Sequence, residues 1–139
     1  MRIELNRVND AFHFEAKGAS NVIVNIDAAE NIGGNNQGAR PMELLLMGLG
    51  GCTSIDVILI LKKQRQVIED LKLVIEGERE KIVGTEMSPF TKINIHFIFK
   101  GNLDIKKIEK AIELSMEKYC SATAQLAPLA TITHSVEIN

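Results

Sequence analysis

The stretch Pro41-Met42-Glu43-Leu44-Leu45-Leu46-Met47-Gly48-Leu49-Gly50-Gly51-Cys52-Thr53-Ser54-Ile55-Asp56-Val57 decides the fold. Pro41 suits the first position of a helix, where its missing N–H is not needed, and Glu43 places negative charge where the helix dipole favours it. Apolar residues follow on nearly every side, and the helix is expected to run to about Gln66. A helix that is apolar all round must be covered on most sides. One chain of 139 residues struggles to do that, so the helix predicts a homodimer. Leu44 to Leu61, at 18 residues, is long enough to imitate a membrane span. Asp56 lies inside it, and a carboxylate near the bilayer centre costs about 2.5–3.5 kcal/mol. Gly48, Gly50, Gly51, Thr53 and Ser54 dilute it further. A buried core helix fits better, with no membrane as partner.

Outward from this helix the flanks read as strands. On the N-terminal side Ile3 and Leu5, then Phe12, Phe14 and Ala16, then Val22, Val24 and Ile26 alternate with other residues. Asn9-Asp10 and Gly18-Ala19-Ser20 separate them as turns, giving an antiparallel meander. Ala28 to Arg40 is polar and glycine-rich, and is expected to be a mobile loop. On the C-terminal side Leu71, Leu73 and Ile75 mark a strand that continues toward Glu80. Ile93, Ile95, Phe97 and Phe99 mark the next. Asp104 caps a second helix with the stripe Ile105, Ile108, Ile112, Met116 and Tyr119. Ile132, Val136 and Ile138 form a last strand. The order βββ-α-ββ-α-β is that of an α+β domain covering residues 1–139.

Composition narrows the function. The net charge of -2 offers no basic excess for nucleic acid, and with aromatics at 4% and no Trp there is no base-stacking platform. The start, Met1-Arg2-Ile3-Glu4-Leu5, lacks the apolar core of a signal peptide, so a cytoplasmic protein is expected. There a pair of cysteines 68 residues apart is an improbable structural staple. No Cys-x-x-Cys, phosphate loop or Ser-His-Asp pattern occurs, so neither metal nor cofactor is expected.

Cys52 is the main chemical candidate. Three glycines just before it weaken the helix by roughly 3 kcal/mol against alanine. Close helix crossing explains them, and so does a backbone left bare so that a substrate or second cysteine reaches the thiol. Cys120, four residues after Met116, is expected to point inward, either as a small hydrophobe or as the other half of a dithiol. Asp56, one turn beyond Cys52 on the same face, would oppose a thiolate there if charged. Arg40 is the nearest upstream cation. Glu43, on the opposite helix face from Cys52, is either a helix-start charge or a thiol partner. His13 and His96 lie on polar strand faces. His134 shares the inward parity of Ile132 and Val136, as a hydrogen-bonded core histidine or a thiol base.

The quoted stretch resembles the central-helix signature of the OsmC/Ohr family, the osmotically induced and organic hydroperoxide resistance proteins. Glu117-Lys118-Tyr119-Cys120-Ser121 resembles that family's second cysteine motif. The segments Arg40–Glu43, Lys62–Gln66 and Ile132–Ser135 are most similar to its YhfA-like branch. The resemblance implies an intertwined homodimer with its sites at the subunit interface. It also implies reduction of organic hydroperoxides in oxidative-stress defence. Cys52 would be the peroxidatic thiol and Cys120 the resolving one, reset by a dithiol reductant of lipoyl or thioredoxin type. The family's catalytic glutamate usually follows the proline directly; here Met42 holds that position and Glu43 comes one later. The family's arginine usually comes from the N-terminal strands, where nothing matches between Arg7 and Arg40. Arg40 and Glu43 are the candidate substitutes. The alternative is a redox-sensing or apolar-ligand-binding dimer of the same fold with little turnover. A thiol enzyme of another type, such as an acyl transferase, is the third reading.

Overall fold

The computed structural model describes residues 1–139 as two compact units, Met1–Leu45 and Leu46–Asn139. The N-terminal unit holds strands β1 (Glu4–Arg7), β2 (Phe14–Lys17) and β3 (Val24–Ile26), an antiparallel sheet in that order. This is the expected meander with shorter strands. Phe12 falls outside β2 because Asn9 Oδ1 takes the N–H groups of Ala11 and His13 and bends the chain there.

The polar stretch after β3 is organised, contrary to the mobile loop expected for Ala28 to Arg40. Asp27 is buried, and its carboxylate accepts N–H bonds from Ala28 at 2.7 Å, Gln37 at 3.0 Å and Asn35 at 3.2 Å. Glu30–Ile32 form a single 3₁₀ turn within it. Glycine-rich composition signals chain freedom, but one buried acceptor with three backbone donors removes it. The Gln37 N–H chiefly, helped by the other two, holds the Asp27 carboxyl below its ordinary range.

Helix α1 (Pro41–Lys63) begins where expected. It ends at Lys63 rather than Gln66 because Arg65 takes a left-handed backbone (φ 57°). The Gln66 N–H bonds Leu61 O and the Arg65 N–H bonds Lys62 O, the paired closure of a Schellman motif. In the C-terminal unit β4 (Asp70–Arg79), β5 (Phe90–Lys100) and β6 (Thr131–Ile138) form a sheet in sequence order. β4 is antiparallel and β6 parallel to β5. The register aligns Leu71, Phe99 and Ile138, then Leu73, Phe97 and Val136, then Ile75, Ile95 and His134, on one face. Ile93, Ile95, Phe97 and Phe99 are fully or almost fully buried, so the period-2 reading of β5 holds residue for residue.

α1 packs Leu49, Thr53, Val57 and Leu61 inward. Gly50 and Gly77 permit its close approach to β4. A Cβ on Gly50 would overlap Ile75 Cδ1, and one on Gly77 would lie 2.6 Å from the Phe90 ring and 3.2 Å from Leu46 Cδ1. Gly77→Ala is therefore expected to destabilise the protein by about 1–3 kcal/mol, the usual cost of overpacking. Urea unfolding checks it; an unchanged midpoint would show that the Phe90 ring yields freely.

The second helix departs from its expected course. α2 (Ile105–Leu114) is capped by Asp104, whose carboxylate accepts the Lys106 N–H. Its inward residues are Ile108, Ala111 and Ile112, while Ile105 is 46% exposed. The chain then widens into a π-helical turn, Ser115–Tyr119, and restarts as an unforeseen short helix α3 (Ser121–Leu126). The wide turn shifts the helical phase, so Ser115 is buried while Tyr119 is 52% exposed. Tyr119 is thus not part of the apolar stripe.

Candidate functional site

Cys52 lies midway along α1 and is half-buried. Cys120 is buried at the junction between the π turn and α3. Both are free thiols. The two sulfurs and a carboxylate oxygen of Asp56 all lie within 4.8 Å of one another. The π turn accounts for part of this convergence. The Cys120 N–H bonds Ser115 O at 2.7 Å, the i→i+5 bond of a π turn. The same turn directs the buried Ser115 hydroxyl to donate to Asp56 Oδ2 at 2.9 Å. Cys120 also serves as N-cap of α3, its sulfur accepting the Thr123 N–H at 3.3 Å.

Burial pushes the Cys120 thiol above its ordinary pKa, and the neighbouring Cys52 adds to this; Thr123 acts the other way. The folded chain therefore holds the protonated thiol more tightly than the unfolded chain does. That contribution is complete below the ordinary thiol pKa and is lost as pH rises through the raised one. Thermal stability of the wild type should fall more steeply than that of Cys120→Ala above about pH 8.5. Parallel melting curves would refute this.

Arg40 and Glu43 are together in the N-terminal unit. The Arg40 N–H donates to Glu43 Oε2 at 2.9 Å, so Glu43 acts as a helix-start cap. The Arg40 guanidinium donates to Gly38 O at 2.9 Å, to Asp27 O at 3.4 Å and to Asn36 Oδ1. The histidines have partners of their own. His13 bonds Asn25, His96 bonds Ser135, and His134, half-buried as its parity predicts, bonds Glu109 at 2.9 Å. Asp56 belongs to the site not as a mere neighbour but as a constituent, with Ser115 and Thr123 as its supports. The spacing of Asp56 from Cys52 hinted at the first; nothing in the sequence pointed to the other two.

Beside the cluster lies a hollow of about 340 Å³, lined by Asp56, Leu59, Ile60, Lys63, Leu114 and Tyr119. Two larger hollows, of about 480 and 450 Å³, open on the polar sheet face and beside His134; a cysteine lines none of the three. The smaller one includes Asp56 of the cluster.

Residues 34–135 match the family model described as OsmC-like protein. The chain is 44% identical over 102 residues to Protein YhfA of Escherichia coli strain K12, an alignment covering 70% of this chain and 72% of that one. It superposes on a hypothetical protein from Aquifex aeolicus VF5 with a TM-score of 0.80 at 31% identity, over 99% of this chain and 96% of the other. The organic hydroperoxide resistance protein OhrB of Bacillus subtilis shares the fold, with a TM-score of 0.71 at 15% identity, over 98% and 96% of the two chains. With an α+β fold built on a glycine-lined central helix, and with Cys120 drawn close to Cys52 of that helix, this chain belongs to the OsmC-like family.

Proposed function

We propose that the protein reduces organic hydroperoxides with Cys52 as attacking thiol and Cys120 as resolving thiol. The observation that carries this is the approach of the two free sulfurs to within 4.8 Å, beside a hollow that sets Leu59, Ile60 and Leu114 among Asp56, Lys63 and Gln64. Disulfide closure brings such sulfurs to about 2.05 Å. The sulfur of Cys52 attacks the outer peroxide oxygen and the O–O bond breaks, giving Cys52 sulfenic acid and an alcohol. Cys120 attacks that sulfenic sulfur, closing the disulfide and releasing water. A dithiol reductant of lipoyl or thioredoxin type returns both thiols and is itself oxidised to a disulfide. The Cys52 thiol proton passes to the departing alkoxide, and Asp56, fixed by Ser115, lies beside both sulfurs. Arg40 and Glu43 are the proposed substitutes for the family's arginine and glutamate; the bond between them is from the Arg40 backbone N–H, not its guanidinium.

The working unit is a cytoplasmic homodimer, with residues 1–139 as one functional domain. Support for the dimer comes from α1, where Met47, Ile55 and Leu59 are each more than half exposed in the single chain. Ile3, Leu5 and Val22 of the N-terminal unit are similarly bare. Mild treatment of the reduced protein with cumene hydroperoxide tests the chemistry by mass. Loss of about 2 Da per chain, reversed by a dithiol, is the expected result. An unchanged mass at peroxide excess would refute it.

A further inference from the structure

The site contains more than a redox pair requires. Cys52, Asp56 and Cys120 offer two sulfurs and one carboxylate oxygen at mutual distances within 4.8 Å. Around a tetrahedral zinc ion, with Zn–S about 2.3 Å and Zn–O about 2.0–2.2 Å, ligand atoms stand roughly 3.5–3.8 Å apart. The cluster needs to contract by only about 1 Å to meet that geometry. The ligands are also supported from behind. Ser115 donates to Asp56 Oδ2 and thereby fixes the carboxylate. The Thr123 N–H donates to Cys120 Sγ. Such outer partners orient ligands and raise metal affinity. The Thr123 hydroxyl is buried with no hydrogen-bond partner of its own.

We propose that the reduced protein binds one thiophilic divalent metal ion of the zinc class through Cys52, Asp56 and Cys120, and that metal binding and disulfide closure exclude each other. Binding converts two thiols to thiolates and releases two protons to solvent, and no electrons move. Two thiolates and one carboxylate leave a fourth position for water. A sulfur lone pair committed to the metal is not available to attack a peroxide, so the ion would keep the pair reduced and idle.

The full-length reduced protein is titrated with zinc alone under anaerobic conditions, in competition with a chromophoric chelator. One ion per chain is expected. Cys120→Ser should weaken binding on the order of 100-fold, and Asp56→Asn and Ser115→Ala each by about 10-fold or more. Wild-type protein alkylated at its cysteines should bind none, a control that does not depend on how any variant folds. Less than half an ion per chain, or an affinity unmoved by Cys120→Ser and by alkylation, would overturn the assignment. The readout is bound metal, so its outcome is separate from whether the protein turns over peroxides.

Discussion

Cys52→Ser is expected to abolish reduction of tert-butyl and cumene hydroperoxide by a dithiol, a loss on the order of 10³-fold or more. Serine keeps the size and position of the thiol but is neither as acidic nor as nucleophilic. Cys120→Ser should behave differently. Its Cys52 still attacks peroxide, so one equivalent of alcohol forms quickly, and then the sulfenic acid persists because no second sulfur closes on it. A sulfenic-acid trap should label Cys52 in that variant and not in the wild type. Excess peroxide should carry it on to the irreversible sulfinic acid, about 32 Da above the thiol. If Cys52→Ser and Cys120→Ser both turn over at the wild-type rate, neither sulfur takes part and the redox reading fails. If only the Cys120 variant stays active with monothiols as well as dithiols, the resolving step comes from the reductant rather than from this chain.

The separation between what sequence disclosed and what it hid follows from the range of the forces involved. β5 was legible because alternation is local: Ile93, Ile95, Phe97 and Phe99 each report their own side of one sheet. The start of α1 was legible for the same reason. The π turn was not, because Ser115-Met116-Glu117-Lys118-Tyr119 contains no glycine or proline to signal a break. It extends a helical pattern whose phase tertiary packing then alters, which is why Tyr119 was placed inside and stands outside. Asp27 is a similar case, since the N–H groups that it gathers come from residues up to ten positions away. The two cysteines were recognisable as a pair through family resemblance. Ser115, the partner of Asp56, is 59 residues distant and has no local signature.

Ile55→Asp is expected to weaken the proposed dimer by at least about 2 kcal/mol, roughly 30-fold in Kd. In the single chain Ile55 is 61% exposed on α1, and Met47, Ile58 and Leu59 are bare as well. Gly48 and Gly51 have no neighbour within 4 Å of where a Cβ would stand. A helix that sends Leu49, Thr53, Val57 and Leu61 into its own core while presenting such a surface is only half covered. A second copy applied to that face would remove the exposed side chains from water, and the two glycines would allow backbones to approach closely. A carboxylate at position 55 would then be buried without a partner, which is among the costliest interface changes. Light scattering across a dilution series should show a wild-type dimer and an Ile55→Asp chain that dissociates at higher concentration. Far-ultraviolet circular dichroism distinguishes dissociation from unfolding. A wild type that is monomeric throughout the series would refute the dimer. Cys52 lies on the same helix with its side chain half-buried. Alkylation of Cys52 should therefore accelerate in Ile55→Asp as the partner departs, and an unchanged rate would show that the partner does not shield the thiol.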